Sequence, residues 1–403
     1  MPEKNEPIRR TDRVQSDLMP ELAGLRQPLA GDVPVSKIID RLVVPGELYE
    51  ALEGDKVHCY ACGHHCKIKP GARGICQVRY NIGGKLYVPW GYVAALQCDP
   101  TEKKPFYHVY PGSDTLTFGM LGCDLHCSYC HNWDTSQALR DVNAGRPPAQ
   151  ITPEEMVDMA KRNGAKCLAS SYNEPLITSE WARAIFEQAK QEDFTCLYIS
   201  NGNATREVLE YIRPYTDGYK IDLKTMNDKS YRQLGAVLEH ILDGIRMVHE
   251  MGFWMEIVTL IVPGFNDSPD ELRDAARFLR SISPDIPWHV TAFYPNYKMM
   301  TNGNTQSDIL IRAAEIGYEE GLNYVYAGNR AGQVQGYENT RCPNCQKTLI
   351  ERFAYVILDY QITPEGTCPD CSTSIAGMWP SNPKDVRIGT VDSLFSRRPR
   401  AVR

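Results

Sequence analysis

From about residue 114 to 326, short β-branched or apolar runs alternate with helical stretches. Alternation of this kind calls for parallel strands joined by right-handed crossovers. Strands are predicted at Thr115–Met120, Cys167–Ser171, Cys196–Ser200, Gly218–Leu223, Trp254–Val262 and Trp288–Phe293, with a last short one at Tyr324–Tyr326. Helices are predicted between them. Thr152 as N-cap and Pro153 in the first turn open one that Gly164 stops. Others fall at 178–191, 205–212, 228–233, 238–251, 268–281 and 307–318. Six or seven such units fall short of the eight of a closed barrel, so the expectation is an α/β fold built on a partial (β/α)6 barrel. Functional groups in such folds sit at the C-terminal ends of the strands.

Cysteine placement divides the rest of the chain. Eleven of fourteen cysteines fall into three groups: Cys59/Cys62/Cys66/Cys76, Cys123/Cys127/Cys130 and Cys342/Cys345/Cys368/Cys371. In a reducing compartment such spacing reads as metal ligation. Cys98, Cys167 and Cys196 stand alone and are expected as buried apolar fillers. The middle group follows the first strand in Gly122-Cys-Asp-Leu-His-Cys-Ser-Tyr-Cys-His-Asn-Trp133. Three thiolates are one short of a closed cluster or zinc site, so the metal they hold keeps an open position. A zinc site completed by His126 or His131 is the plainer alternative. The C-terminal group repeats a CPxC knuckle, a zinc-ribbon signature. The N-terminal group has ligands enough for a closed zinc or an auxiliary [4Fe–4S] cluster, and sequence does not choose between them.

The resulting division is an N-terminal arm at 1–57, a small Cys-rich metal-binding domain at 58–112, the barrel at 113–330, a zinc-ribbon-like four-Cys module at 331–380 and a polar, mobile tail at 381–403. The segment Asp99-Pro-Thr-Glu-Lys-Lys-Pro-Phe-Tyr-His108 is too charged and prolyl to suggest core. It is expected as a rim of the active site or an ordered linker. The net charge of −6 argues against a nucleic-acid binder that works by bulk charge. The N-terminus shows no apolar signal region and no run suggests a membrane span, so a cytoplasmic setting is expected.

At the three-cysteine loop the chain resembles the radical S-adenosylmethionine superfamily. The resemblance implies a [4Fe–4S] cluster on Cys123, Cys127 and Cys130 whose fourth iron chelates S-adenosylmethionine. It also implies reductive cleavage to a 5′-deoxyadenosyl radical that abstracts hydrogen from a substrate. Ser171-Tyr-Asn-Glu-Pro175 is similar to the family's Gly-Gly-Glu-Pro segment; Glu174 matches and the two glycines are replaced. Ser200-Asn201-Gly202 looks like the ribose-contacting segment. Asp222-Leu-Lys224, Val262-Pro-Gly-Phe-Asn-Asp267 and His289–Pro295 resemble strand-end segments of glycyl-radical-enzyme activases. The resemblance thus implies cofactor contacts from Tyr129, Asn173, Glu174, Ser200, Asn201 and Gly202, and catalytic roles for Asp222 and Lys224.

The cysteine-rich lead, the Asp-Pro-x-Glu-Lys-Lys-Pro segment, the radical core and the C-terminal knuckle together look like the radical SAM component of the AmmeMemoRadiSam group, related to pyruvate formate-lyase activating enzymes. That implies a reduced flavodoxin- or ferredoxin-type electron donor and a protein or small-molecule substrate. The rival class is a non-catalytic multi-zinc scaffold, or a nucleic-acid-associated metal-binding protein.

Overall fold

The computed structural model describes residues 35–396 and Val402. Most of the expected arm (1–34) and the end of the expected tail lie outside the described residues.

One eight-stranded sheet dominates. Its strands are β1 (Ala95–Pro100), β2 (Asp114–Gly119), β3 (Cys167–Ser170), β4 (Thr195–Ser200), β5 (Gly218–Asp222), β6 (Trp254–Ile261), β7 (Trp288–Ala292) and β8 (Val325–Gly328). They lie side by side in the order β8-β7-β6-β5-β4-β3-β2-β1. From β2 to β8 every neighbouring pair is parallel. The crossovers carry α1 (Pro153–Arg162), α2 (Ser179–Lys190), α3 (Arg206–Ile212), α4 (Asp228–Leu234), α5 (Leu238–Glu250), α6 (Pro269–Ile282) and α7 (Ser307–Glu319). Six β/α units closed by a seventh parallel strand make a partial α/β barrel.

Local chemistry explains these elements. Thr152 and Glu155 form a reciprocal capping box at the start of α1, with Lys161 and Arg162 in its last turn. Ser268 caps α6, and Leu272, Ala275, Ala276 and Leu279 bury one stripe of it. All four residues of β3 are buried, as both faces of a helix-flanked parallel strand must be.

The sheet has one strand more than the alternation foresees. β1 pairs antiparallel with β2, from Ala95↔Gly119 to Pro100↔Asp114. It lies inside the range expected for the Cys-rich domain. Antiparallel neighbours need no crossover helix, so the connection 101–113 is free to do something else.

That connection overturns the expectation of a rim or linker. It is a buried plug at the N-terminal, opposite end of the barrel: Thr101, Glu102, Phe106 and His108 are all 1% exposed or less. The main-chain N–H groups of Tyr107 and His108 donate to Glu256 of β6, each at 3.0 Å. Glu256 also meets His289 Nε2 at 2.7 Å. Phe106 and Val109 cluster with Cys167, Ala169 and Leu197 at the strand starts. Lys103 and Lys104 pair with Asp99, and Glu102 accepts from the Gly112 N–H at 2.7 Å, which lets so polar a segment pack inside.

The described part of the expected arm, 35–57, is built into the fold. Val43–Pro45 pairs with Lys85–Pro89, and Tyr49–Leu52 pairs with Lys56–Cys59. The N-terminal strands are tied to the barrel by a buried ion pair. Arg79 donates twice to Glu180 of α2 at 2.7 Å, with exposures of 1% and 2%. Glu180 accepts from the Glu47 N–H as well. At the other end, Thr340–Arg341, Thr348–Phe353 and Val356–Tyr360 form a three-stranded antiparallel sheet. The expected mobile tail also contacts the core: Arg387 clamps Asp114 at 2.6 and 2.8 Å. Among the described residues no helix is long and apolar enough to cross a membrane.

Candidate active site

The three-cysteine loop leaves β2 at its C-terminal end. Gly122 makes the turn at φ +96°, where a Cβ would stand 2.7 Å from Val78 Cγ1. The loop then folds back on itself: the Leu125 N–H points to Cys123 Sγ at 3.4 Å, and Cys130 Sγ lies 3.2 Å from Ser136 Oγ. Cys123, Cys127 and Cys130 open on one pocket. Facing them are Glu174 from the end of β3, Ser200 and Asn201 from the end of β4, and Asp222 and Lys224 from the end of β5.

Glu174 is 2% exposed. It accepts hydrogen bonds from Ser200 Oγ at 2.7 Å, the Asn201 N–H at 2.8 Å and the Leu176 N–H at 3.1 Å. It has no ion-pair partner among the described residues. Burial, together with the nearby Asp124 carboxylate, pushes its acid up to about 8. Asp124 is fully buried and accepts from Asn201 Nδ2 at 2.7 Å and Asn203 Nδ2 at 2.8 Å. Two buried carboxylates side by side make a site short of positive charge.

On the other wall Lys224 Nζ lies 3.4 Å from Asp222, which also pairs with Lys220. Burial works against the lysine's charge, but Asp222 and then Cys127 hold it well above the ordinary range. Burial likewise opposes ionisation of Asp222, yet Lys220 and Lys224 keep it below the usual value. Burial pushes the Cys127 thiol up to about 12 and, with Asp124, the Cys123 thiol well above normal. These thiols must therefore lose protons as a metal enters.

Nine of the eleven residues named for this site line the pocket. Asn173 lines the pocket, but its side chain holds the loop, accepting from the Met120 N–H and donating to the Glu174 carbonyl. Tyr129 and Gly202 stay out of the pocket wall. Tyr129 is buried with its ring 5.7 Å from that of Phe265. Gly202 makes a turn at φ +81°, where a Cβ would meet Ile221 Cγ2 at 2.6 Å. Neither histidine joins the triad: His131 Nε2 is 3.1 Å from the Tyr294 carbonyl, and the His126 ring rests on Gly235.

Two contributors escape the sequence reading. Asp124 carried a signal, an acid between two of the cysteines, but its partners Asn201 and Asn203 come from the turn after β4. Tyr172 lines the pocket with φ +66°, a conformation that costs a non-glycine residue about 1 kcal/mol or more. Its hydroxyl accepts from Lys104 Nζ at 3.0 Å and donates to Gln97 at 3.2 Å.

The other cysteine groups differ in spacing. Cys342, Cys345, Cys368 and Cys371 have all their sulfurs within 4.8 Å of one another, with Cys342–Cys371 at 3.5 Å and Cys345–Cys368 at 3.6 Å. That suits one tetrahedral ion, whose thiolates at ~2.3 Å stand about 3.8 Å apart, and fits the zinc-ribbon module. Among the described residues it is the one group of three or more candidate ligands so closely drawn.

A family model described as the Radical SAM superfamily matches residues 118–279. An uncharacterized protein of Methanocaldococcus jannaschii is 37% identical over 309 residues, 76% of this chain and 91% of its own length. The pyruvate formate-lyase-activating enzyme of Staphylococcus aureus strain USA300 is 30% identical over 182 residues, 43% of this chain and 71% of that protein. A solved domain of pyruvate-formate lyase-activating enzyme from Bacteroides vulgatus aligns with a TM-score of 0.36 and 21% identity, covering 41% of this chain and 100% of that one. The chain belongs to the radical SAM superfamily, in its activating-enzyme-like family. Membership makes it an enzyme and implies a [4Fe–4S] cluster and S-adenosylmethionine.

Proposed function

We propose that Cys123, Cys127 and Cys130 hold the [4Fe–4S] cluster, and that the enzyme cleaves S-adenosylmethionine reductively to abstract hydrogen from a protein or small-molecule substrate, as an activase-like member of the AmmeMemoRadiSam group. One observation carries the reading: three thiols share a pocket at the strand ends with a buried, unpaired carboxylate and a charged lysine. The cluster, when bound, supplies one electron and an open iron for the cofactor.

The protein's own groups do the rest. Glu174 is placed to take the cofactor's ammonium, which supplies the charge that it lacks. Ser200 and Asn201 act by holding Glu174 in place, since the Ser200 hydroxyl and the Asn201 N–H are both spent on it. Asn201 Nδ2 is spent on Asp124. Lys224 is placed for a carboxylate of cofactor or substrate, with Asp222 fixing its ammonium. A reduced flavodoxin- or ferredoxin-type protein in the cytoplasm is the fitting electron donor.

Anaerobically reconstituted protein with dithionite should release 5′-deoxyadenosine and methionine from S-adenosylmethionine. Release no greater than that of a Cys127→Ala control would contradict the reading. An iron-free, colourless protein carrying only zinc would support a scaffold instead.

A further inference from the structure

We propose that Cys59, Cys62, Cys66 and Cys76 hold a second iron–sulfur cluster rather than zinc, and that it is the point where electrons enter on their way to the Cys123/Cys127/Cys130 site. The proposal rests on the function given above.

Local folding gathers the four thiols. Cys59 ends the strand Lys56–Cys59, and its N–H donates to the Cys66 carbonyl at 3.0 Å. Between them the chain reverses at His65, φ +44°, with the His65 N–H on the Cys62 carbonyl at 3.1 Å. Cys76 arrives on a second loop, where a Cβ on Gly74 would touch Cys66 Sγ at 3.6 Å. Cys59, Cys62 and Cys76 are buried and Cys66 is half-buried. Four thiols with no histidine among them fit either a zinc or a cluster.

Spacing separates the two. The C-terminal group shows what a one-ion site looks like in this chain, with all sulfurs inside 4.8 Å. Among the described residues neither the N-terminal four nor the barrel triad is drawn in so far. A [4Fe–4S] core spreads its thiolates over four irons, so they stand wider apart than around one ion. The N-terminal group thus resembles the triad rather than the zinc-sized group.

Placement gives the role. The loops that carry Cys62 and Cys76 lie directly against the triad loop. His64 Nε2 is 3.2 Å from the Asp124 carbonyl, and the Gly63 N–H donates to the Asn203 carbonyl at 2.8 Å. A Cβ on Gly122, the residue before Cys123, would lie 3.2 Å from the Cys76 carbonyl oxygen. Arg140 ties both loops, donating to the Leu125 carbonyl at 2.8 Å and the Ile75 carbonyl at 2.6 Å. Arg79, three residues after Cys76, is 1% exposed, and its Nε finds no partner among the described residues. A purely structural metal has no need to stand against the back of the reactive loop. An electron relay does.

The balance is simple. A low-potential flavodoxin- or ferredoxin-type protein gives one electron and is oxidised by one. The second cluster takes that electron and hands it to the triad's cluster, and no proton moves.

The test uses the full chain, reconstituted anaerobically with iron and sulfide. Wild type should carry about eight irons per chain, the content of two [4Fe–4S] clusters, together with one zinc. A Cys123→Ser/Cys127→Ser/Cys130→Ser variant should keep about half of that iron and a reduced-state EPR signal that ignores S-adenosylmethionine. A Cys59→Ser/Cys62→Ser variant should keep the cofactor-responsive signal, cleave S-adenosylmethionine with dithionite, and lose cleavage with the protein reductant. Wild-type protein with half that iron and two zincs overturns the proposal, a result that needs no variant to fold. Equal cleavage by the Cys59→Ser/Cys62→Ser variant with both reductants overturns the relay. If instead the main functional reading is wrong, the wild-type EPR signal ignores S-adenosylmethionine while the triple variant still keeps its iron.

Discussion

The C-terminal cysteines and the barrel triad are built from the same residue type and end in opposite kinds of site. The C-terminal four close on one another, at 3.5 and 3.6 Å across pairs. Around them lie knuckle turns and a surface pair, Lys347–Asp370. Four thiols so placed are enough to close one tetrahedral metal site. The triad offers one thiol too few to close such a site, and what surrounds it is unusual: a buried glutamate with no ion-pair partner among the described residues, a fully buried aspartate and a lysine held charged. A ligand set alone does not tell a structural metal from a reactive one. The unsatisfied groups beside it do.

Four experiments press on that contrast. The largest effect is expected from Cys127→Ala, which should lower 5′-deoxyadenosine formation by more than about 100-fold. Cys345→Ala, scored per folded molecule in the same assay, should leave formation near wild type while releasing one zinc. Next, Arg79→Ala should cost roughly 3–5 kcal/mol in urea unfolding, because it strands the buried Glu180 charge. The paired change Arg79→Met with Glu180→Leu should recover most of that loss.

Glu174→Gln should weaken S-adenosylmethionine binding by about 10–100-fold in calorimetry on cluster-loaded protein, the worth of one charged hydrogen bond. Its counterpart at the closed end is Glu102, 1% exposed, which burial pushes up to about 7 although Arg352 opposes the shift. Glu102 accepts from the Gly112 N–H at 2.7 Å, and its other oxygen has no partner among the described residues. Here the folded state holds the proton more tightly than the unfolded chain does. Stability from this group is therefore full below about pH 4.5, the unfolded value, and declines as pH rises toward 7. The decline should be of order 2 kcal/mol in unfolding titrations, and Glu102→Gln should flatten it. That change should leave cofactor binding alone, which separates the floor from the mouth.

Much of this was legible because it is written locally. Thr152-Pro153 and Ser268-Pro269 announce helix starts, and the runs at β3 to β7 lie within a residue or two of the observed strands. The triad and the CPxC pairs need only sequence spacing to be seen. What stayed hidden depends on partners far along the chain. The 101–112 plug reads as surface until Glu256, Tyr326 and the Ala376 carbonyl supply its hydrogen bonds. Asp124 is an ordinary loop acid until Asn201 and Asn203 arrive beneath it. Tyr172 stands in a position where the family motif has glycine, and only Lys104 and Gln97 explain why a tyrosine is held there. β1 escaped notice because an edge strand paired antiparallel falls outside the β–α rhythm.

The most direct test of the central claim is the EPR spectrum of the reduced, anaerobic enzyme before and after S-adenosylmethionine is added. A component of the iron–sulfur signal that changes shape with the cofactor, and is lost when Cys123, Cys127 and Cys130 are replaced together while a cofactor-indifferent component stays, is the predicted result. A spectrum with no component that responds to the cofactor, or a response that survives that replacement intact, would contradict the account.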